Sequence, residues 1–86
     1  METNNLKFER KSETLKRYAL SSSTFYVRIK EGLIPPPVSL GERAVGFPEH
    51  ETNAVLSAMI AGKSKDEIKA LVALLVDQRK NLNSAL

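Results

Sequence analysis

The sequence contains no cysteine and a single histidine, His50. Disulfides and thiolate metal sites are therefore excluded, and so are the usual multi-histidine metal centres. No apolar run approaches the ~20 residues of a membrane-spanning helix. The polar N-terminal stretch lacks the apolar segment of a secretory signal. The expectation is a cytoplasmic protein with no membrane contact. No nucleophile–base pairing, Gly-rich phosphate loop or cleft carboxylate pair stands out, so neither catalysis nor a cofactor is expected. There is no internal repeat and no low-complexity segment. A chain of 86 residues is one small domain, and such a domain buries only roughly 60% of its unfolded surface. Its stability must come from packing, with or without self-association.

What the sequence does contain is unevenly placed charge. The formal net charge is +3. Residues 1–47 hold eight basic side chains against five acidic ones, whereas residues 48–86 hold five of each. The whole excess lies in the first half, and clustered positive charge is what a phosphate backbone attracts.

Residues 1–5 are polar and are expected to fray. Leu6-Lys7-Phe8 reads as a brief strand or an anchor. Ser12 is the expected N-cap of a short helix, with Leu15 and Tyr18 facing inward. Ala19-Leu20 forms the turn. Ser21 caps the next helix, in which Phe25 and Ile29 share the inward face while Ser23, Tyr26, Val27 and Lys30 project outward. Gly32 ends it. Two short helices around a tight turn have the shape of a helix-turn-helix. Pro35-Pro36-Pro37 favours extended backbone. Beyond it, Val38 to Leu40 and Ala44 to Phe47 flank a Gly-containing turn and read as a β-hairpin with Arg43 at its tip. Pro48 is the expected first residue of a third helix, with an apolar face of Val55, Leu56, Met59 and Ile60, ended by Gly62. Ser64 and Glu67 form a capping box. The helix behind it runs to about Leu82, with Ile68, Leu71, Val72 and Leu75 on one face. Leu74 and Val76 widen that face, so packing on the domain and self-association through residues 65–82 are both open. The expected architecture is mainly α with a small β-hairpin, a winged helix-turn-helix over residues 1–62 followed by a C-terminal helix over 63–86.

The ordered series Leu20, Ser21, Ser23, Thr24, Phe25, Tyr26, Ile29, Lys30, Glu31, Gly32, Pro35, Val38, Leu40, Gly41, Arg43, Val45, Gly46 and Phe47 resembles the AlpA-type regulators and excisionases of prophages. The resemblance implies a MerR-like winged helix and double-stranded DNA as partner. It implies a role as transcriptional regulator, as recombination directionality factor, or as both, with an integrase or RNA polymerase as possible protein partner. Three positions depart from the family pattern. Val27 stands where a basic residue usually follows the tyrosine, with Arg28 one step, or ~100°, further round the helix. Ala19 replaces the turn glycine, which is tolerable if its φ is negative. Residues 64–86 lie largely outside the family core.

The candidate DNA-binding residues are Ser22, Ser23, Thr24, Tyr26, Val27, Arg28, Lys30 and Arg43. Hydroxyls and N–H groups at a helix N-terminus suit phosphate and base edges, although the same serines serve as ordinary caps. Tyr26 suits a phosphate contact or a half-buried core edge equally. Arg28 and Lys30 suit a groove, and Arg43 at the hairpin tip suits a phosphate or a minor groove. Lys11, Lys16 and Arg17 read as general electrostatics. His50, between Glu49 and Glu51, has no second histidine to make a metal site. The competing function is that of a protein-interaction adaptor or anti-regulator, whose working surface would be the apolar C-terminal helix.

Overall fold

The computed structural model describes residues 6–83; the fraying expected of residues 1–5 lies outside them. The elements are β1 (Phe8–Glu9), α1 (Lys11–Tyr18), α2 (Ser22–Lys30), β2 (Val38–Gly41), β3 (Ala44–Pro48), α3 (Glu49–Ile60) and α4 (Lys65–Asn83). The three strands form an antiparallel sheet in the order β1-β3-β2. This is a mainly α winged helix-turn-helix, with β2 and β3 as the wing and β1 added along the other edge of β3. No described helix is long and apolar enough to cross a membrane.

Local chemistry sets most boundaries. The Ser21 side chain accepts from the Thr24 N–H at 3.3 Å, which starts α2. Gly32 at φ 80° ends it. Ser64 Oγ accepts from the Glu67 N–H at 3.1 Å while Glu67 Oε1 accepts from the Ser64 N–H at 2.8 Å. The two bonds satisfy donors that a helix start leaves orphaned. The Ser64 N–H also holds the exposed Glu67 carboxyl below the usual carboxylate range.

The core is built around Phe25, which is fully buried. Its ring lies 6.1 Å from that of Tyr18 and 5.3 Å, edge-on, from that of Phe47. One side chain of α2 thereby joins α1 and the wing. Val55 from α3 and Ile68, Val72 and Leu75 from α4 belong to the same buried cluster. Each such side chain stabilises the fold by roughly 1.5–3 kcal/mol. Burial pushes the Tyr18 hydroxyl up to about 12, against the opposing pull of the Thr52 hydroxyl beside it. The Tyr18 oxygen has no hydrogen-bond partner among the described residues.

Two buried carboxylates brace this core. Glu9 accepts from Arg17 at 2.6 Å and from the Thr14 hydroxyl at 3.2 Å; Arg17 also donates to Asn53. Glu51, 1% exposed, receives two bonds from Arg79, at 2.8 Å and 2.7 Å. The same guanidinium donates to the Pro36 carbonyl at 2.7 Å. Arg79 therefore fastens the proline connector, α3 and α4 together.

Several expectations from the sequence need correction. The N-cap of α1 is Arg10, not Ser12, because Glu13 reaches back to accept from the Arg10 N–H at 2.8 Å. Ala19 does not avoid positive φ: it sits at 58° and its N–H closes the end of α1. Pro48 is the last residue of β3 and the N-cap of α3, one position before its first turn. On α3 only Val55 of the expected apolar face is buried; Leu56 is half-buried, Met59 is 38% exposed and Ile60 87% exposed. The core is closed instead by Thr52 and Glu51, because α3 meets it mainly with its first half.

Candidate nucleic-acid interface

The outer side of α2 and the wing meet at Lys11, which contacts Tyr26 and borders a hollow with Arg43. Ser22, Ser23, Tyr26, Val27 and Lys30 are exposed along α2, while Thr24 and Arg28 are half-buried. The N–H groups of Ser22 and Ser23 lie in the first turn, where a helix has no acceptor to offer and its dipole favours negative charge. Thr24 is engaged in the cap, its N–H and its hydroxyl both meeting Ser21 Oγ. Arg28 lies on the flank, beside Leu33 and Ile68 and near Lys65 at the start of α4. Its one-step displacement from position 27 turns it away from the face that carries Tyr26 and Lys30. Arg28, Lys30 and Arg43 make no ion pair with any described residue.

Tyr26 is a surface residue rather than an edge of the core, 47% exposed. Lys11 Nζ donates to its hydroxyl at 3.0 Å and lies 4.7 Å from its ring centroid. A cation held over a ring this way is worth ~0.5–1 kcal/mol at an exposed site, so Lys11 is placed, not merely nearby. It tethers the start of α1 to the outer face of α2.

The wing tip is a two-residue turn, Glu42-Arg43, between Gly41 and Ala44, which pair across it. A register shift between Ser39 and Gly41 adds a bulge, which increases the local twist. Arg43 has φ 59°, a conformation that glycine or asparagine adopts at little cost and a long side chain does not. Gly46 is close-packed: a Cβ there would meet Phe8 and Leu40 at 3.0 Å.

Sequence reading missed one grouping. Because β1 pairs only with Phe47 and Pro48, β3 opens at Ala44 and Val45 onto a hollow bordered by Arg10, Lys11 and Arg43. Arg43 stands more than thirty residues along the chain from the adjacent Arg10 and Lys11. The only available signal was the Arg10-Lys11 pair ahead of a helix, which has no meaning until the wing folds back beside it.

The fold and this face define a class, the winged helix-turn-helix proteins. Within it, the family model described as prophage CP4-57 regulatory protein (AlpA) matches residues 7–54, from β1 through the first half of α3. The chain is 37% identical over 59 residues to the uncharacterized protein ORF88 of Enterobacteria phage P4, covering 69% of this chain and 67% of that one. The chain belongs to the AlpA family of phage regulatory proteins. No solved structure matches it significantly.

Proposed function

We propose that this protein regulates a mobile element by binding duplex DNA, with α2 in a major groove and the wing along the neighbouring minor groove. The observation that carries the reading is Arg43. A left-handed backbone costs a non-glycine residue ~1–2 kcal/mol, and strain of this kind gathers at functional sites. Here it presents a free guanidinium at the wing tip, on the hollow shared with Arg10 and Lys11. Ser22, Ser23, Thr24, Tyr26 and Val27 are the α2 residues assigned to the duplex. Lys30 and Arg28 supply charge at its C-terminal half, Arg28 from the flank. The chain acts without catalysis, and one module of this size needs neighbouring copies or sites for useful affinity.

The deciding experiment is a fluorescence anisotropy titration against duplex DNA pools at two salt concentrations, with Arg43→Gly beside the wild type. The substitution should raise thermal stability slightly and lower affinity about tenfold or more. Wild-type protein that fails to bind any duplex at low salt would overturn the reading. Within this function, transcriptional control and excision use the same contacts. A gel phasing assay for DNA bending, followed by addition of the cognate integrase, assigns the excisionase role. The adaptor reading would rest on α4, where Leu74 is 52% exposed.

A further inference from the structure

Lys11 reaches both parts of the proposed DNA-binding surface. On one side its Nζ donates to the hydroxyl of exposed Tyr26 on α2. On the other it borders the hollow beside β3, about 570 Å³, with Arg10 and Arg43. Neither Arg10 nor Lys11 makes an ion pair with any described residue. Glu9 also lines the hollow, but its carboxylate is buried and engaged by Arg17 and Thr14. Glu13 turns back to the Arg10 N–H.

The strand register adds a backbone donor. The Glu49 N–H donates to the Lys7 carbonyl at 2.9 Å. In an antiparallel pair every second residue turns its N–H to the same neighbour, so Phe47 and Val45 face the way Glu49 does. β1 ends at Glu9, opposite Phe47. The next position, opposite Val45, falls to Lys11, which has already turned into α1. The Val45 N–H is therefore left facing the hollow.

A helix in a major groove and a wing in the neighbouring minor groove have one sugar–phosphate strand running between them. Lys11 stands at that crossing, and cations there meet phosphates, not base edges. An ammonium has three donors, of which Tyr26 takes one. The Tyr26 hydroxyl, accepting from Lys11, keeps its own hydrogen for an anion. One phosphate oxygen can thus accept from both. Given duplex binding by α2 and the wing, we propose that Lys11 and Tyr26 together hold one phosphate of this strand, and that Arg10, Arg43 and the Val45 N–H hold the adjoining one in the hollow. Lys11 is then a placed contact. Lys16, exposed and ~140° further round α1, is not.

The test uses the full chain and a duplex selected from random pools, with one linkage at a time replaced by an uncharged methylphosphonate. Wild-type affinity should drop at two neighbouring linkages. Lys11→Gln keeps a donor for the Tyr26 hydroxyl but loses the charge. It should weaken binding roughly fivefold to tenfold near 0.1 M salt and no longer respond to one of the two linkages. Arg10→Gln should no longer respond to the other. Each should flatten the slope of log affinity against log salt by about 0.9, and Lys11→Arg should restore both affinity and slope. Melting curves check that every variant is folded. Lys16→Gln should keep the wild-type linkage profile. If Lys16→Gln loses as much as Lys11→Gln, or if Lys11→Gln keeps the full linkage response, the proposal is overturned while DNA binding stands, and the hollow is open to another occupant such as an acidic peptide. Wild-type protein that binds no duplex at low salt would remove DNA binding itself.

Discussion

The face made by α2 and the wing differs from the α3–α4 side in how it is held. Of the nine residues of α2, only Phe25 is buried, and the wing tip is a strained turn. By contrast α4 has 19 residues, buries Ile68, Val72 and Leu75, starts on a two-way cap and ends near a bidentate ion pair. Surfaces that recognise partners are commonly drawn from the less stable part of a fold. Here the difference shows where the stiffness comes from. The face of α2 and the wing contributes little of its own stability and is held from behind, through Phe25 and through the grip of Arg79 on the proline connector.

Four substitutions sharpen or break that comparison. The largest effect is expected for Arg79→Ala. It leaves Glu51 buried and unpaired, which costs about 3–5 kcal/mol, and it releases the Pro36 carbonyl. Urea unfolding should show the loss. If stability changes by less than 1 kcal/mol, the pair is a surface ornament and the buttress idea goes with it. Next is alkaline titration. Folded Tyr18 keeps its proton up to about 12, whereas the unfolded chain releases it near 10. Stability from this group is intact below pH 10 and falls as pH rises from 10 to 12, by up to about 1.4 kcal/mol per unit. In Tyr18→Phe this share of the alkaline loss should vanish from melts taken across that range.

Smaller effects are expected at the helix ends. Ala19→Gly removes a left-handed alanine and should stabilise by about 0.5–1 kcal/mol, a few degrees in Tm, with DNA affinity unchanged. A drop in Tm would mean that the turn does not need a positive φ. Ser64→Ala loses the α4 cap and should cost about 1 kcal/mol. Calorimetry should detect that loss, while DNA affinity measured well below Tm stays at the wild-type value. If instead Ser64→Ala weakens binding as much as Arg43→Gly does, the two regions are not separable.

Much of this fold was written locally. The Ser21 cap, the Ser64–Glu67 box, the Gly32 stop and the hairpin around Arg43 all depend on residues within a few positions of one another, and all four are present. What sequence reading missed was long-range. Glu51 stands in the first turn of α3, yet its partner stands 28 positions away. Arg17 reads as general electrostatics, yet with Glu9 it closes a corner of the core. Ile60 fits the helical period but lies beyond the point where α3 leaves the core, which periodicity does not reveal. Among the candidate site residues, the outward set on α2 was legible because alternation with Phe25 and Ile29 defines it. The hollow at Arg10, Lys11 and Arg43 was not, because it exists only once the wing folds beside α1.

The Arg79–Pro36 contact also orders events in time. A chain is synthesised from its N-terminus, so α2 and the wing emerge well before the arginine that fixes the connector between them. Until residue 79 arrives, Glu51 has no counter-ion and the spacing between helix and wing is unsecured. The surface of α2 and the wing is therefore finished only after residue 79 has been made, and a product truncated before it carries the basic residues without their final arrangement.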